Sequence, residues 1–197
     1  MKKIVLLFFL SILNIDAYCQ SALEKFFGVE YHKGFVVLNN GDTIKSTIIF
    51  NNSWGNYYNV RLIDSNKNIT SYGPKDVLVF SFDSLYFYPK KFNVTKKRSK
   101  DAFMCLLSDD QLKVYLHRYH FNNGVVDGSG TAYILEKSDN ESVQIIYNRM
   151  FNLKKHAGYF FKDCSHISEK INNKTYKVGD ILRIAHEYNE WLKQNTQ

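Results

Sequence analysis

The sequence predicts an α+β fold, in which an antiparallel β-sheet (a roll, a sandwich or a partly closed barrel) is followed by a C-terminal helical segment. Up to residue 146, short apolar and aromatic runs alternate with turn residues. Tyrosine and phenylalanine, with 14 and 15 copies, are frequent for a chain of 197 residues, and both favour sheet over helix. After residue 146 the apolar residues recur at helical spacing.

Residues 1–19 are predicted to be a signal peptide that is removed on export. Two lysines precede an apolar run over Ile4–Ile15, which is too short to cross a hydrocarbon core of about 30 Å. Ala17 and Cys19 are small residues in the positions that cleavage after Cys19 requires. Two alternatives stay open: a lipid attached to Cys19, which the bulky preceding tyrosine disfavours, and an uncleaved anchor.

The remainder is long enough for one compact domain and contains no second apolar stretch of transmembrane length. We therefore expect an exported protein that is periplasmic, outer-membrane-associated or extracellular. The net charge is +7, which suits an anionic envelope component or a protein partner. The export signal argues against nucleic acid as a ligand. Cys105 and Cys164 would form one disulfide or stay as two buried free thiols.

Residues 20–146 are predicted to form the β-rich domain. The Asn40-Gly41 pair predicts a type I′ hairpin turn, Asp83-Ser84 marks a bend, and Pro89 is expected to end a run. The predicted strands are Tyr31–Leu38, Thr43–Phe50, Tyr57–Ile63, Ile69–Tyr72, Val77–Tyr88 as two strands or one bent strand, Ala102–Leu107, Leu112–Tyr119, Thr131–Glu136 and Val143–Ile146.

Residues 147–197 are predicted to form helices that pack on the sheet. The first would run for roughly 15 residues from Phe151 to about Cys164. Ser165 is a candidate N-cap for a short second helix, and Asp180 for the last one.

Three stretches carry a resemblance to other proteins: Lys33–Ile44, Tyr72–Val77 and the tail from Tyr159 to Tyr188. They resemble uncharacterised exported proteins of the Bacteroidetes. The resemblance implies a cell-envelope or secreted location and brings with it no activity, cofactor or catalytic residue.

The best candidate for a binding site is the most basic window of the chain. Clustered lysines beside aromatic rings would hold an anionic polymer or a lipid headgroup. The alternative is a solvated loop that protects a sheet edge. The candidate residues are Lys90, Lys91, Phe92, Lys96, Lys97, Arg98 and Lys100.

Other groupings of reactive residue types are weak signals. His117 and His120 would project from opposite faces of a strand and could not easily share a metal. Cys164 and His166 are too close along a helix to form a nucleophile–base pair. Asp109-Asp110 lies in an apparent turn, and the glycines of residues 124–130 suggest a mobile hairpin loop. No catalytic residue, metal site or cofactor is predicted.

Three functional hypotheses follow. The leading one is a non-enzymatic exported envelope protein that acts as a binding or interaction module. The second is a hydrolase with an unrecognised active site, for which a deep pocket lined by His, Asp, Glu or Cys would speak. The third is a structural component of an envelope assembly, for which a large exposed apolar patch would speak.

Overall fold

The computed structural model of the chain describes residues 29–51, 57–95, 98–122, 127–147 and 153–195. The predicted signal peptide, with Cys19, lies outside these residues. The described part is a ten-stranded antiparallel sheet followed by short helices, which confirms a β-rich fold with a helical C-terminus. Among the described helices, none is both long and apolar enough to cross a membrane.

The strands follow one another along the chain mostly as hairpins. In spatial order they are β10-β9-β8-β7-β6-β5-β1-β2-β3-β4. The strands are β1 (Val29–Leu38), β2 (Thr43–Asn51), β3 (Val60–Ile63), β4 (Ile69–Tyr72), β5 (Val77–Phe82), β6 (Leu85–Thr95), β7 (Arg98–Ser108), β8 (Leu112–Asn122), β9 (Asp127–Lys137) and β10 (Ser142–Tyr147).

The turn between β1 and β2 differs from the predicted type I′ turn. Only Gly41, with φ of 90°, adopts the left-handed conformation there. The Gly41 amide donates to the Leu38 carbonyl at 2.9 Å, and the Leu38 amide donates to the Asp42 carbonyl at 2.9 Å. This is the three-residue hairpin in which a glycine follows a tight turn. The primed geometry occurs instead at Asp83 and Ser84, whose φ angles are 47° and 63°.

Pro89 does not end its strand, as the sequence suggested; β6 runs on to Thr95. The pairing of β6 with β5 stops at Phe87. From Pro89 onward β6 pairs with β7 alone, so the missing N–H of proline removes no bond on the β5 side. Residues 90–95 and 98–100 of the basic window therefore form a strand pair, and the expectation of a loop was wrong for them. Beyond Pro89, neither strand of this pair has a second neighbouring strand within the described part.

The glycine-containing segment before β9 was also predicted as a loop. Within the described residues, Gly128 and Gly130 belong to β9 and pair with Phe121 and Tyr119 of β8. Residues 123–126 lie outside the described part.

Three helices follow the sheet: α1 (Leu153–Ala157), α2 (Ser165–Asn172) and α3 (Ile181–Asn195). They cover one face of β8, β9 and β10. There Val114, Leu135 and Ile145 form a core with the helical segment. The Asn189 side chain fixes α3 to the start of β8, because its Oδ1 accepts from the Leu112 amide at 2.7 Å.

The first helix ends well before Cys164, where it was expected to end, and the start of the predicted span lies outside the described residues. It ends at Ala157, next to Gly158, a poor helix former. The chain then turns, and the Lys137 ammonium of β9 donates to the Phe160 carbonyl at 2.5 Å and to Asp163 at 3.0 Å. The Phe160 carbonyl thus accepts a hydrogen bond from the sheet. In a longer helix the same carbonyl would accept from a backbone amide of the helix.

Both predicted N-caps were placed differently. Cys164, not Ser165, is the N-cap of α2, and it makes no side-chain hydrogen bond there. A single 3₁₀ turn, Val178–Asp180, precedes α3, and Asp180 Oδ2 accepts from the Lys177 amide at 2.8 Å. Asp180 therefore caps the start of this helical segment from a position within its first turn and not from the position before it.

The two cysteines of the described part are free and buried, so no disulfide joins them. Cys105 packs with Phe87 and Phe103 on the sheet, whereas Cys164 packs among the helices. Burial raises the pKa of both thiols. The two thiols lie in separate cores. Of the two expected states, one disulfide or two buried free thiols, the structure therefore has the second.

Candidate binding cleft

Strands β7 and β8 pair along only part of their length. Their described partners are Cys105 with Leu116, Leu106 with Tyr115, and Ser108 with Val114. Before Cys105, β7 pairs with β6 alone, and after Leu116, β8 pairs with β9 alone. The sheet thus divides into two arms, the β6–β7 arm and the β8–β10 arm.

A cleft of about 630 Å³ lies between the ends of the two arms. The β6–β7 arm contributes Phe92, Arg98 and Lys100, and the β8–β10 arm contributes Tyr119 and Tyr147. Tyr58, which precedes β3, completes the lining although five strands separate β3 from β8 in the spatial order. Aromatic faces and two cations therefore face one volume of the size that holds a small ligand.

The curvature of the sheet brings this distant tyrosine into place. Tyr57 and Tyr58 form a turn whose rings stand edge-on to the imidazole of His117 on β8, at centroid distances of 5.2 and 5.9 Å. Phe92 and Tyr119 enclose the imidazole further, at 4.6 and 6.1 Å. Burial raises the pKa of the Tyr57, Tyr58 and Tyr119 hydroxyls, so these side chains are neutral.

His117 lies under the cleft with no exposed surface. Neither ring nitrogen has a hydrogen-bond partner of normal geometry within the described part. Burial lowers the pKa of His117 to about 4, and the nearby Phe103 backbone only partly opposes this. The imidazole is therefore neutral near pH 7, so one ring nitrogen carries a proton and the other a lone pair.

A side chain, and not strand pairing, links β10 to β6. Gln144 of β10 reaches across to β6, where its Oε1 accepts from the Asn93 amide at 2.9 Å. Its Nε2 donates to the Asn93 carbonyl at 3.0 Å. The Gln144 side-chain amide thus makes the two hydrogen bonds with Asn93 that the backbone of a neighbouring strand would make. These two bonds fix the distance between the two arms.

The structure separates the predicted basic residues into different surroundings. Arg98 and Lys100 line the cleft, and the Lys100 ammonium lies 5.5 Å from the centre of the Tyr58 ring. Phe92 is buried against His117. Lys91 is exposed and lines a neighbouring groove. Lys96 and Lys97 lie outside the described residues.

Lys90 has a different environment from the other members of this window. Its ammonium donates to both oxygens of Glu136, at 2.9 and 2.7 Å. It also lies 4.3 Å from the centre of the Tyr115 ring. Lys90 is thus neutralised inside the curved sheet and is not available to an external anion.

The other candidate groupings serve the fold. His117 and His120 do project from opposite faces, and His120 Nε2 is 2.7 Å from Asp127 Oδ1. Asp109 and Asp110 form separate ion pairs, with Lys113 at 2.9 Å and Lys193 at 3.0 Å.

His166 is exposed and lies 3.6 Å from a Glu187 oxygen. The buried Cys164 caps α2. Within the described ranges, no group of three or more metal-ligating side chains occurs.

Sequence reasoning missed Tyr58, Tyr119 and Tyr147 as members of the site. Tyr119 carries the one signal that could have indicated it, because Gly130 lies directly opposite on the neighbouring strand. An aromatic ring often lies across such a glycine. That pairing is visible only once the register of β8 and β9 is known.

Comparisons with protein-family models, with curated protein sequences and with solved structures found no match for this chain.

Proposed function

We propose that this protein is an exported, non-enzymatic binding module of the cell envelope, and that the cleft between its two arms holds an anionic envelope component. The observation that carries the proposal is the convergence of Arg98 and Lys100 with the rings of Tyr58, Tyr119 and Tyr147 on one volume. The resemblance to exported proteins of the Bacteroidetes and the signal-peptide pattern support the location. The ring-like closure of β6–β10 through Gln144 supports a partly closed barrel.

The chemistry of the lining suits an anion that also has a flat apolar surface. Arg98 offers a planar fork of donors and Lys100 a compact ammonium. Within the described residues, no carboxylate forms an ion pair with either side chain. The tyrosine rings offer faces on which a sugar or another ring can stack, and their hydroxyl groups add hydrogen bonds.

The described lining supports binding better than hydrolysis. A hydrolase would need a nucleophile beside a base, or two carboxylates facing one cleft. The side chains around the cleft are aromatic, basic or aliphatic, apart from His120 and Ser129. His120 is within 2.7 Å of Asp127 on the cleft's rim, and it remains the residue to vary if cleavage is found.

Binding can be tested with polygalacturonate, a carboxylated glycan, and with its fully methyl-esterified form as an uncharged match. Isothermal titration calorimetry at low and moderate salt should show binding of the charged polymer alone, weakened by salt. The double variant Arg98→Ala/Lys100→Ala should lower the affinity by at least about tenfold, because two charge-assisted contacts are lost. The double variant Lys33→Ala/Lys45→Ala, which removes two exposed cations from β1 and β2, is the matched control.

Equal binding of both polymers, or equal loss in the two double variants, would overturn the assignment of the cleft. Release of new reducing ends from polygalacturonate would favour the hydrolase alternative. The structural-component alternative predicts instead that the protein co-purifies in a large envelope assembly and that the cleft variants leave that assembly intact.

A further inference from the structure

The residues around the cleft come from the same end of neighbouring strands. Val94 lies near the end of β6, and Arg98 begins β7. Tyr119 and Tyr147 lie at or near the ends of β8 and β10, and Gly130 lies near the start of β9. Because each strand runs antiparallel to the next, these positions meet at one end of the set. The cleft is therefore an opening at the strand ends of β6–β10.

Hydrogen bonds join most of the strands around this opening. β6 pairs with β7 as far as Thr95 and Arg98, and β8 pairs with β9 as far as Asn122 and Asp127. β9 pairs with β10, and the side chain of Gln144 links β10 to β6. The wall of the cleft is thus built from linked strands on these sides.

Strands β7 and β8 part beside the cleft, and Tyr58 lies at this gap. The centre of its ring is 5.9 Å from that of His117 on β8 and 5.5 Å from the Lys100 ammonium on β7. The rings of Phe92 and Tyr119, one from each arm, approach each other to 5.0 Å. Aromatic contacts therefore take the place of strand pairing at the gap.

The inner end of the cleft is filled by side chains. Ala102 and Met104 follow Lys100 on the same face of β7, and Ala132 follows Gly130 on the same face of β9. All three of these inner residues are fully buried. The core to which they belong consists of Phe92, Ala102, Met104, Tyr115, Ala132 and Ile134. A ligand that enters at the strand ends therefore meets a packed core and cannot pass through.

This shape decides which part of a polymer the cleft can take. An internal segment needs two exits, one for the chain on either side of it, whereas a chain end needs only an entrance. The volume of about 630 Å³ lies within the range of about 300–1,000 Å³ that typically encloses one small ligand. It holds the terminal part of a saccharide chain, and linked pyranose rings are too stiff to enter it as a tight loop.

The cations of the cleft lie near its opening. Arg98 and Lys100 line the cleft. Lys90, which lies further in than Phe92 on the same face of β6, donates to both oxygens of Glu136 and is neutralised. The cations that can meet a ligand are therefore at one level. They suit a single carboxylate on a ring, whereas the end of a phosphate chain would bring several adjacent charges into the same volume.

We infer that the ligand is an acidic polysaccharide that the cleft binds by one chain end, with the terminal uronate ring on Tyr58 and its carboxylate beside Arg98 and Lys100. This inference rests on the proposed function and adds the ligand's class and the part of it that is bound. It predicts one bound protein molecule per chain, whatever the length of the chain.

Oligogalacturonates from the tetramer to the octamer, and intact polygalacturonate of known chain concentration, test this by calorimetry on the full mature chain. Moderate salt suppresses binding to exposed charges. The stoichiometry should stay at one protein molecule per chain, and affinity per chain should not rise with length. A digest of polygalacturonate should bind more protein per unit mass than the intact polymer, because digestion creates ends.

The cleft variants show whether the chain end is bound in the cleft. Arg98→Ala/Lys100→Ala should weaken binding of every chain by at least about tenfold, because two charge-assisted contacts are lost. Lys33→Ala/Lys45→Ala should change none of them. A chain-end stoichiometry that is insensitive to Arg98→Ala/Lys100→Ala would place the end elsewhere and overturn the inference.

The outcomes separate this inference from the proposed function. Several protein molecules on each polymer chain, with binding lost in Arg98→Ala/Lys100→Ala, would overturn end recognition while the cleft assignment stands. No binding of any oligogalacturonate or of polygalacturonate would overturn both. Tighter binding of a single-stranded oligonucleotide of equal charge would overturn the polysaccharide assignment.

Discussion

Tyr119 of β8 lies directly opposite Gly130 of β9, and its phenol ring occupies the space that a β-carbon on residue 130 would need. The ring also lies 5.0 Å from the ring of Phe92 on the other arm. Gly130 therefore matters for the site because it has no side chain. It allows an aromatic ring to lie flat across β9 and to form one wall of the cleft.

The variant Gly130→Ala should displace the Tyr119 ring and reshape the cleft. We expect a loss of about 1–3 kcal/mol in the free energy of unfolding, as for other overpacked sites, together with weaker binding of polygalacturonate. Urea denaturation measures the first effect and calorimetry the second. Gly179→Ala is the control, because within the described residues its new methyl group would meet the Tyr147 ring alone, at a relaxed 4.0 Å.

A double-mutant cycle with Tyr119→Ala decides whether the ring is the cause. If it is, Gly130→Ala should cost little once the ring is gone, and the two changes should be strongly non-additive. Additive losses would show that position 130 acts through its backbone and not through Tyr119.

The bridge from Gln144 to Asn93 should hold the two arms at their distance. Gln144→Met keeps most of the side-chain volume but removes both hydrogen bonds, for an expected cost of about 1–3 kcal/mol. The Asn93 amide should then exchange its hydrogen faster, and polygalacturonate should bind more weakly. Ser142→Ala, at an exposed position of the same strand, should change neither quantity. Unaltered exchange at Asn93 would contradict the bridge.

Lys90 is predicted to matter for stability and not for binding. Lys90→Met leaves the Glu136 carboxylate, only 22% exposed, without its partner. The free energy of unfolding should fall by about 1–3 kcal/mol, somewhat less than for a fully buried pair. Adding Glu136→Leu should restore most of the loss, since replacement of both partners is often neutral. Affinity for polygalacturonate should stay the same. A loss of affinity comparable to that of Arg98→Ala/Lys100→Ala would show that Lys90 contributes to the binding site.

Local signals in the sequence predicted most strands, because alternation and turn residues act over a few positions. Of the two alternatives for Val77–Tyr88, the structure has two strands that turn at Asp83-Ser84, and the strand pair around residues 108–111 is confirmed. The type of the first turn and the passage of β6 through Pro89 were not predicted. Both depend on which neighbouring strand is present at that point, and a single sequence does not show strand order.

The site was predictable only in part, for the same reason. The basic window contains Arg98, Lys100 and Phe92, but its residues share no common environment, since Lys90 turns inward to Glu136. Tyr58 reaches the cleft only through the curvature of the whole sheet. That curvature is the sum of many strand twists, and no short motif encodes it.

The buried imidazole of His117 gives the folded protein a defined response to acid. Its pKa falls from 6.5 to about 4 on folding because burial disfavours the charged form. The described rings that enclose it, those of Tyr57, Tyr58, Phe92 and Tyr119, are uncharged at these pH values. Below pH 6.5 the unfolded chain binds a proton that the folded protein does not accept. Stability should therefore decline as the pH falls from 6.5 toward 4, by about 3 kcal/mol in all.

Carboxylates with a lowered pKa act in a different range. Glu187, whose pKa is lowered to about 2 chiefly by the Tyr176 hydroxyl, stabilises the fold above pH 4.5 and loses that effect as the pH falls through about 2. Among the described groups with a shifted pKa, His117 is therefore the one whose protonation changes stability between pH 4.5 and 6.5.

The variant His117→Phe should remove this acid response. It replaces an imidazole that has no hydrogen-bond partner of normal geometry within the described part by a ring of similar shape. The free energy of unfolding at pH 7 should therefore stay the same or rise by about 1 kcal/mol. Urea denaturation between pH 4.5 and 6.5 should show a decline of about 2 kcal/mol in the parent protein and a nearly flat profile in the variant. The exposed His120→Gln variant should keep the parent's decline. A parental decline that survives in His117→Phe would mean that another group takes up the proton, and the imidazole would then have to be solvated in the folded state.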